Sequence, residues 1–237
     1  MVNQYSRFEM LIGKEQLEFL KTKKVIVFGL GGVGGNVCDA LARCGIMNFT
    51  IVDNDVVSIS NINRQLIAKI NNVGKLKTDI MEEHLKSLNP DIIVHKMPMF
   101  YLPENSDQFD FAQYDYVIDA IDTVSAKIDI IVKCKTLQIP IISALGCGNK
   151  IDLTQLEVSD LAKTSYDPLA KVLRRELRRR GITHHKVVYS KELPIKPFEN
   201  NDEKSQKRSI PGSSAFVPPA AGILIAQTVI NDFLSRG

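Results

Sequence analysis

Cysteine is scarce in this chain and scattered: Cys38, Cys44, Cys134 and Cys147 are the only four in 237 residues. No two of them form a Cys-x-x-Cys pair, so the sequence offers neither a structural zinc site nor a disulfide framework. The thiols read as reduced. An apolar run at the amino terminus is also lacking; residues 1–7 have none of the character of a signal segment, and a cytoplasmic protein is expected. Nor is there an uninterrupted stretch of about 20 apolar residues, the length a bilayer core requires. The one segment that comes near, residues 216–234, is broken by Pro218, Pro219, Gln227, Asn231 and Asp232. It reads as a buried carboxy-terminal helix, with no membrane insertion expected. Internal repeats are absent.

What the chain does have is enough apolar material, 44% of residues, to bury a substantial core. Its net charge is only +3, but unevenly spread. Residues 163–208 hold 13 Lys and Arg against 6 Asp and Glu, so one region is distinctly basic.

Residues 24–29 (KVIVFG) form a short β-branched run ending in glycine, a buried strand. Val33, Val37, Leu41 and Cys44 then recur at helical spacing, and residues 48–53 (NFTIVD) form a second strand. Strand, helix, strand within about 30 residues begins a parallel sheet. The alternation predicts a helix over 75–88, strands over 92–95 and 114–120, a helix over 124–137 and a strand over 140–144. Residues 1–150 thus read as one doubly wound, Rossmann-like α/β domain, and 151–237 as a smaller basic extension. In the extension we expect a strand of mixed polarity over 150–158, a basic helix over 168–180 capped by Asp167 with Pro168 in its first turn, a strand over 187–190, a mobile loop over 193–214 and the final apolar helix.

The first strand meets its helix through Gly29-Leu30-Gly31-Gly32-Val33-Gly34-Gly35. Gly29, Gly31, Gly32 and Gly34 suit a tight turn that brings backbone N–H groups close to phosphate, with the helix amino end adding partial positive charge. Asp53, 19 residues beyond Gly34, stands where a carboxylate takes hydrogen bonds from ribose hydroxyls. Alone, these features favour an NAD-dependent oxidoreductase. The following loop packs Asp55, Asn61, Asn63, Arg64 and Gln65 together, and Lys77 comes a turn into the next helix. Cations and side-chain amides suit a triphosphate and would be superfluous for hydride transfer. Asp119-Ala120-Ile121-Asp122 closes a strand at its carboxyl end, where ligands of such sheets bind. A carboxylate facing phosphates needs a metal between them, which makes Asp122 a candidate Mg²⁺ contact; Asp119 has the alternative of capping the next helix.

Taken in order, G-x-G-G-x-G, D-x-D-x-V-x-x-S-N-x-N-R-Q, V-G-x-x-K and D-A-I-D resemble the superfamily of ubiquitin-activating-type adenylating enzymes, which includes the activators of molybdopterin-synthase and thiamine sulfur carriers. The resemblance implies ATP and Mg²⁺ as cofactors. It implies that Gly31 and its neighbours cradle phosphates, that Asp53 holds ribose, and that Asn61, Arg64, Gln65 and Lys77 grip the triphosphate. It further implies that Asp122 positions Mg²⁺ and that Arg7, in Tyr5-Ser6-Arg7-Phe8, reaches the γ-phosphate of the other subunit in a homodimer. Sulfur-carrier activators usually carry two Cys-x-x-Cys pairs, and many a downstream catalytic cysteine; this chain has no cysteine after Cys147. Cys147 itself reads as a small residue at a strand end rather than a nucleophile.

The second half, through Ile151-Asp152-Leu153-Thr154, residues 159–164 (SDLAKT) and Asp167-Pro168-Leu169, is similar to the tRNA threonylcarbamoyladenosine dehydratases. That group implies adenylation of a carboxylate beside the anticodon, followed by ring closure with net loss of water. Lys171, Arg174, Arg175, Arg178, Arg179, Arg180 and Lys186 would then face tRNA phosphates, although a run of charges also describes any solvated helix. Activation of a sulfur-carrier protein's terminal carboxylate and a catalytically idle nucleotide-binding module are the competing readings. The residues leave open a sulfur-relay partner and a monovalent cation that orders the loops.

Overall fold

Val25, Ile26, Val27 and Phe28 have no exposed surface, the condition of a central strand covered on both faces. They belong to β1 (Lys24–Phe28), which follows two short helices, α1 (Ser6–Ile12) and α2 (Lys14–Lys21). The computed structural model describes residues 2–198 and 211–235. Of the loop expected over 193–214, residues 199–210 lie outside the described part. After β1 come α3 (Gly34–Arg43), β2 (Asn48–Val52), α4 (Lys77–Leu88), β3 (Ile93–Met97), β4 (Tyr116–Asp119), α5 (Val124–Thr136) and β5 (Ile141–Ala144). Then follow β6 (Leu156–Asp160), α6 (Pro168–Arg178), β7 (Lys186–Ser190) and α7 (Val217–Leu234).

The strands form one seven-stranded sheet in the order β3-β2-β1-β4-β5-β7-β6. Every pairing is parallel except β6 with β7. Chain order reverses between β1 and β4, so the carboxyl ends of these two strands flank the crevice in which doubly wound folds bind ligands. Helices cover both faces. Val37, Leu41, Met81, Ile225 and Val229 belong to the core on one side, while Phe28, Ile130, Ile131, Leu173 and Leu177 belong to the core on the other.

The expected doubly wound α/β sheet is present, and the residues after 150 continue it: β7 pairs with β5, and α7 packs on α3. At Gly222 the two helices meet so closely that a Cβ would collide with the Val33 carbonyl oxygen. By length and composition α7 is the one helix among the described residues that could cross a bilayer, but half of it is buried in the fold.

Some boundaries differ from the expectations. Residues 150–158 do not form one strand; the Asp152 carboxylate accepts from the Thr154 N–H at 2.9 Å and closes a 3₁₀ turn, so β6 starts at Leu156. α4 begins at Lys77, not residue 75. Hydrogen bonds from Val57 N–H to the Lys75 carbonyl and from Lys77 N–H to the Asp55 carbonyl hold the preceding residues extended, which places Lys77 in the first turn. Asp119 does not cap α5, whose cap position is Thr123; its carboxylate is buried and takes the Lys127 ammonium at 2.7 Å. Asp167 does cap α6, accepting from the Ala170 N–H at 2.9 Å, and Pro168 fills the first turn.

Candidate active site

The turn after β1 is packed backbone against backbone. Gly29 has φ +89°, a left-handed conformation that favours glycine, and its N–H donates to the Val52 carbonyl at 2.8 Å, tying β1 to β2. A Cβ at Gly34 would run into the Gly29 carbonyl oxygen. Gly34→Ala is therefore expected to lower stability by about 1–3 kcal/mol and to abolish the thermal shift produced by ATP. Differential scanning fluorimetry with and without nucleotide measures both; a wild-type melting temperature and shift would show that the turn relaxes around a methyl group.

Gly29 and Gly31 line a cleft at the carboxyl ends of β1, β2 and β4, together with Asp53, Asp55, Lys77 and Asp122. Asp53 follows β2 and accepts the Leu30 N–H at 2.6 Å and the Asp55 N–H at 2.8 Å, so the carboxylate pins the glycine turn from beneath. Burial raises its carboxyl above the usual aspartate range, against the opposing pull of Lys77 and of these two amides. Lys77 is buried and its ammonium lies 2.7 Å from Asp55 and 3.8 Å from Asp53. The cleft thus sets one cation between two carboxylates beside the glycine turn, an arrangement that can take both ribose hydroxyls and phosphate oxygens. Asp122 is exposed at the rim, just before α5.

Phe28, Val52, Met99, Phe100, Tyr101 and Ile121 supply the apolar lining of the cleft. Phe28 and Tyr101 meet edge to face at 5.1 Å, and the Tyr101 hydroxyl donates to Asp129 at 2.5 Å, which fixes the ring. A flat base suits this wall. Met99-Phe100-Tyr101 is not among the candidate residues above; the signal in the sequence is an apolar triplet just after the carboxyl end of β3.

The remaining loop residues are placed differently. Gln65 is buried with its amide beside Gly31, and its Oε1 has no protein partner. Arg64 lies against Gly32, but its guanidinium folds back onto its own loop, donating to the Ser60 carbonyl and to Asn63, both at 2.9 Å. Asn61 accepts the Ser58 N–H at 3.1 Å and holds a 3₁₀ turn. Asn63 donates to the Ser213 carbonyl at 2.9 Å, fastening the segment before α7 to this loop. Neither asparagine lines the cleft, and Arg7 sits on the exposed side of α1 away from it. Cys147 is buried just past β5; desolvation pushes its thiol up to about 11, which keeps it protonated near neutrality.

The basic residues divide. Arg174 turns inward, donating to the carbonyls of Leu161 and Thr164 and to the Thr164 hydroxyl. Lys186 is paired with Asp232 at 2.6 Å. Lys171, Arg175, Arg178, Arg179 and Arg180 remain on the exposed side of α6 and its end.

Known proteins resemble this chain over nearly its whole length. A curated tRNA threonylcarbamoyladenosine dehydratase of Bacillus subtilis (strain 168) is 43% identical over 99% of this chain and 96% of its own length. The crystal structure of the E. coli tRNA N6-threonylcarbamoyladenosine dehydratase in complex with AMP superposes with a TM-score of 0.89 at 32% identity, covering 98% of this chain and 94% of that one. The same E. coli enzyme in complex with ATP also matches with a TM-score of 0.89. The ThiF family model matches residues 5–234, nearly the full length described; with the glycine turn, Asp53 and Lys77 in one cleft, the chain belongs to the ThiF family.

Proposed function

We propose that this chain is an ATP-dependent adenylating enzyme that dehydrates threonylcarbamoyladenosine of tRNA to its cyclic form. The observation that carries this reading is the single cleft joining the glycine turn, Lys77 and Asp122, in a chain similar over its full length to a relative named for that activity. ATP enters with its base against Met99 and Phe100, its ribose on Asp53, and its phosphates over Gly29 to Gly34. Gln65, whose Nε2 stands beside Gly31, closes the phosphate side, and Arg64 joins it once its guanidinium leaves the Ser60 carbonyl and Asn63.

The substrate carboxylate attacks the α-phosphorus, the bond to the β-phosphate oxygen breaks, and pyrophosphate leaves. An internal nucleophile of the same substrate then attacks the activated carbonyl and releases AMP, with a proton lost to solvent, so that water is removed at the expense of one ATP. Lys77 balances charge as pyrophosphate departs; positioning and electrostatics supply most of the acceleration. Magnesium fits the donor set. Among the described residues no three His, Cys, Asp or Glu form a preformed cage, and one rim carboxylate, Asp122, beside phosphate oxygens is the arrangement Mg²⁺ favours. When bound, the ion neutralises phosphate charge. Arg7, outside this cleft, is assigned to the cleft of a second copy in a homodimer.

The test is incubation with ATP, Mg²⁺ and total tRNA, then mass analysis of the nucleosides. Threonylcarbamoyladenosine is expected to lose the mass of one water, and AMP to accumulate. ATP binding without any change in nucleoside mass would overturn the reading. A thioester relay to a carrier protein is disfavoured by Cys147, whose thiol stays protonated and buried.

A further inference from the structure

Along α5, immediately beyond the nucleotide cleft, a second groove opens between α5 and α6. Thr123 lines the cleft; Val124 and Ser125 begin the groove, which continues over Ile128 and Val132. Its other wall carries Arg175, Glu176 and Arg180. Asp129 also faces it, but the Tyr101 hydroxyl takes that carboxylate.

Glu176 is the unusual feature of this wall. Three guanidiniums converge on its one carboxyl group: Arg175 Nε at 3.0 Å, Arg179 Nη1 at 3.1 Å and Arg180 Nη1 at 3.1 Å. The Glu176 side chain is only 18% exposed, whereas those of Arg175 and Arg179 are 64% and 67% exposed. Hydrogen bonds from Arg180 and Arg175 hold its carboxyl below the ordinary glutamate range. Neutralising one glutamate needs one arginine. Three leave the group with a net double positive charge, and since each uses one nitrogen on Glu176, Arg180 Nη1 donating also to the Glu176 carbonyl at 2.7 Å, most of the five N–H donors on each guanidinium are not spent on Glu176. Arginine side chains otherwise lose up to about 2 kcal/mol of rotamer freedom when a ligand orders them; here the carboxylate has ordered them beforehand.

We propose that Glu176 is a positioning residue for RNA: it gathers Arg175, Arg179 and Arg180 into a fixed cluster that grips backbone phosphate, and so presents the substrate loop along α5 to the cleft. This rests on the tRNA reading above. The cluster of Arg175, Arg179 and Arg180 on Glu176 sets a net double positive charge at the edge of the groove, which complements a polyanion, and guanidiniums grip the oxygens of a phosphodiester backbone in bidentate fashion.

A simple surface charge and an organiser make opposite forecasts. If Glu176 were only a negative charge near RNA, Glu176→Gln would tighten binding. If it organises the cluster, the same substitution weakens it. Filter-binding titrations of the full chain with total tRNA across a salt series, with steady-state kinetics, decide the matter. Glu176→Gln is expected to raise the Kd and KM for tRNA by roughly three- to tenfold, with kcat and ATP affinity unchanged and the salt slope retained, because the three cations remain. Arg180→Ala is expected to weaken binding and to reduce the slope of log K on log salt by about 0.7–0.9, one phosphate contact. Equal or tighter tRNA binding by Glu176→Gln overturns the proposal even where wild type binds well. Failure of the wild-type chain to bind tRNA at all overturns the tRNA reading and the proposal with it.

Discussion

Lys77→Ala is expected to cut ATP–pyrophosphate exchange by roughly 10²–10³-fold, the range found when one preorganised electrostatic contact to a transition state is removed. The size of the effect follows from burial. The ammonium is 6% exposed and sits between Asp55 at 2.7 Å and Asp53 at 3.8 Å, where its field is screened far less than that of a surface lysine. Removing it leaves two carboxylates at the place where further negative charge must gather, so both binding and the chemical step suffer. The fold should suffer less. Asp55 is 54% exposed, so water can solvate it once the lysine is gone, and Asp53, though only 8% exposed, lies farther from the ammonium and keeps its bonds from the Leu30 and Asp55 N–H groups. Lys77→Arg is not expected to rescue, since a planar guanidinium does not fit a buried space shaped for a compact ammonium. Exchange of labelled pyrophosphate into ATP, with circular dichroism to confirm folding, gives the answer; exchange within a factor of two of wild type would remove Lys77 from its assigned role.

The parts of this site that could be read from the sequence are those carried by short local patterns. The glycine turn, the strand-helix-strand spacing and Asp53 at the end of β2 each depend on residues within about 30 positions, and the backbone rules that demand them are local. The misplaced parts depend on distant partners. Arg174 and Lys186 read as members of a basic surface because nothing in their neighbourhood announces the Leu161 and Thr164 carbonyls, or Asp232 on α7. Asn63 belongs to a motif that implies phosphate binding, yet its amide reaches Ser213, 150 residues on. The apolar wall over Met99, Phe100 and Tyr101 was missed because three residues after a strand have no periodicity. Glu176 was passed over for a related reason: within a run of arginines it reads as a dilution of charge, and only the geometry shows the three side chains turned onto it.

The second large effect is expected beneath the site, at Asp119 and Lys127. Both side chains are 0% exposed, and the ammonium bonds Asp119 at 2.7 Å and the Ala144 carbonyl at 2.9 Å, so one cation joins β4, α5 and the end of β5. Eight residues separate the pair in sequence, but Asp119 ends β4 and Lys127 lies in α5, so no single helix or strand periodicity joins them. Lys127→Met strands a buried carboxylate and should cost about 3–5 kcal/mol, or a fall in melting temperature of roughly 6–20 °C for a chain of this size. Asp119→Leu combined with Lys127→Met removes both charges at similar volume and is expected to recover most of that loss, giving a large coupling energy in a double-mutant cycle. Urea unfolding of the four proteins measures the cycle; additive losses would show that the two charges do not depend on each other. Recovered stability does not require recovered activity. Asp122 lies three residues beyond Asp119, and the turn between them is held at one end by the bond that the double variant lacks. A double variant that unfolds like wild type but exchanges pyrophosphate slowly would therefore mean that the buried pair is retained to hold the rim carboxylate in register with the glycine turn, rather than to stabilise the fold.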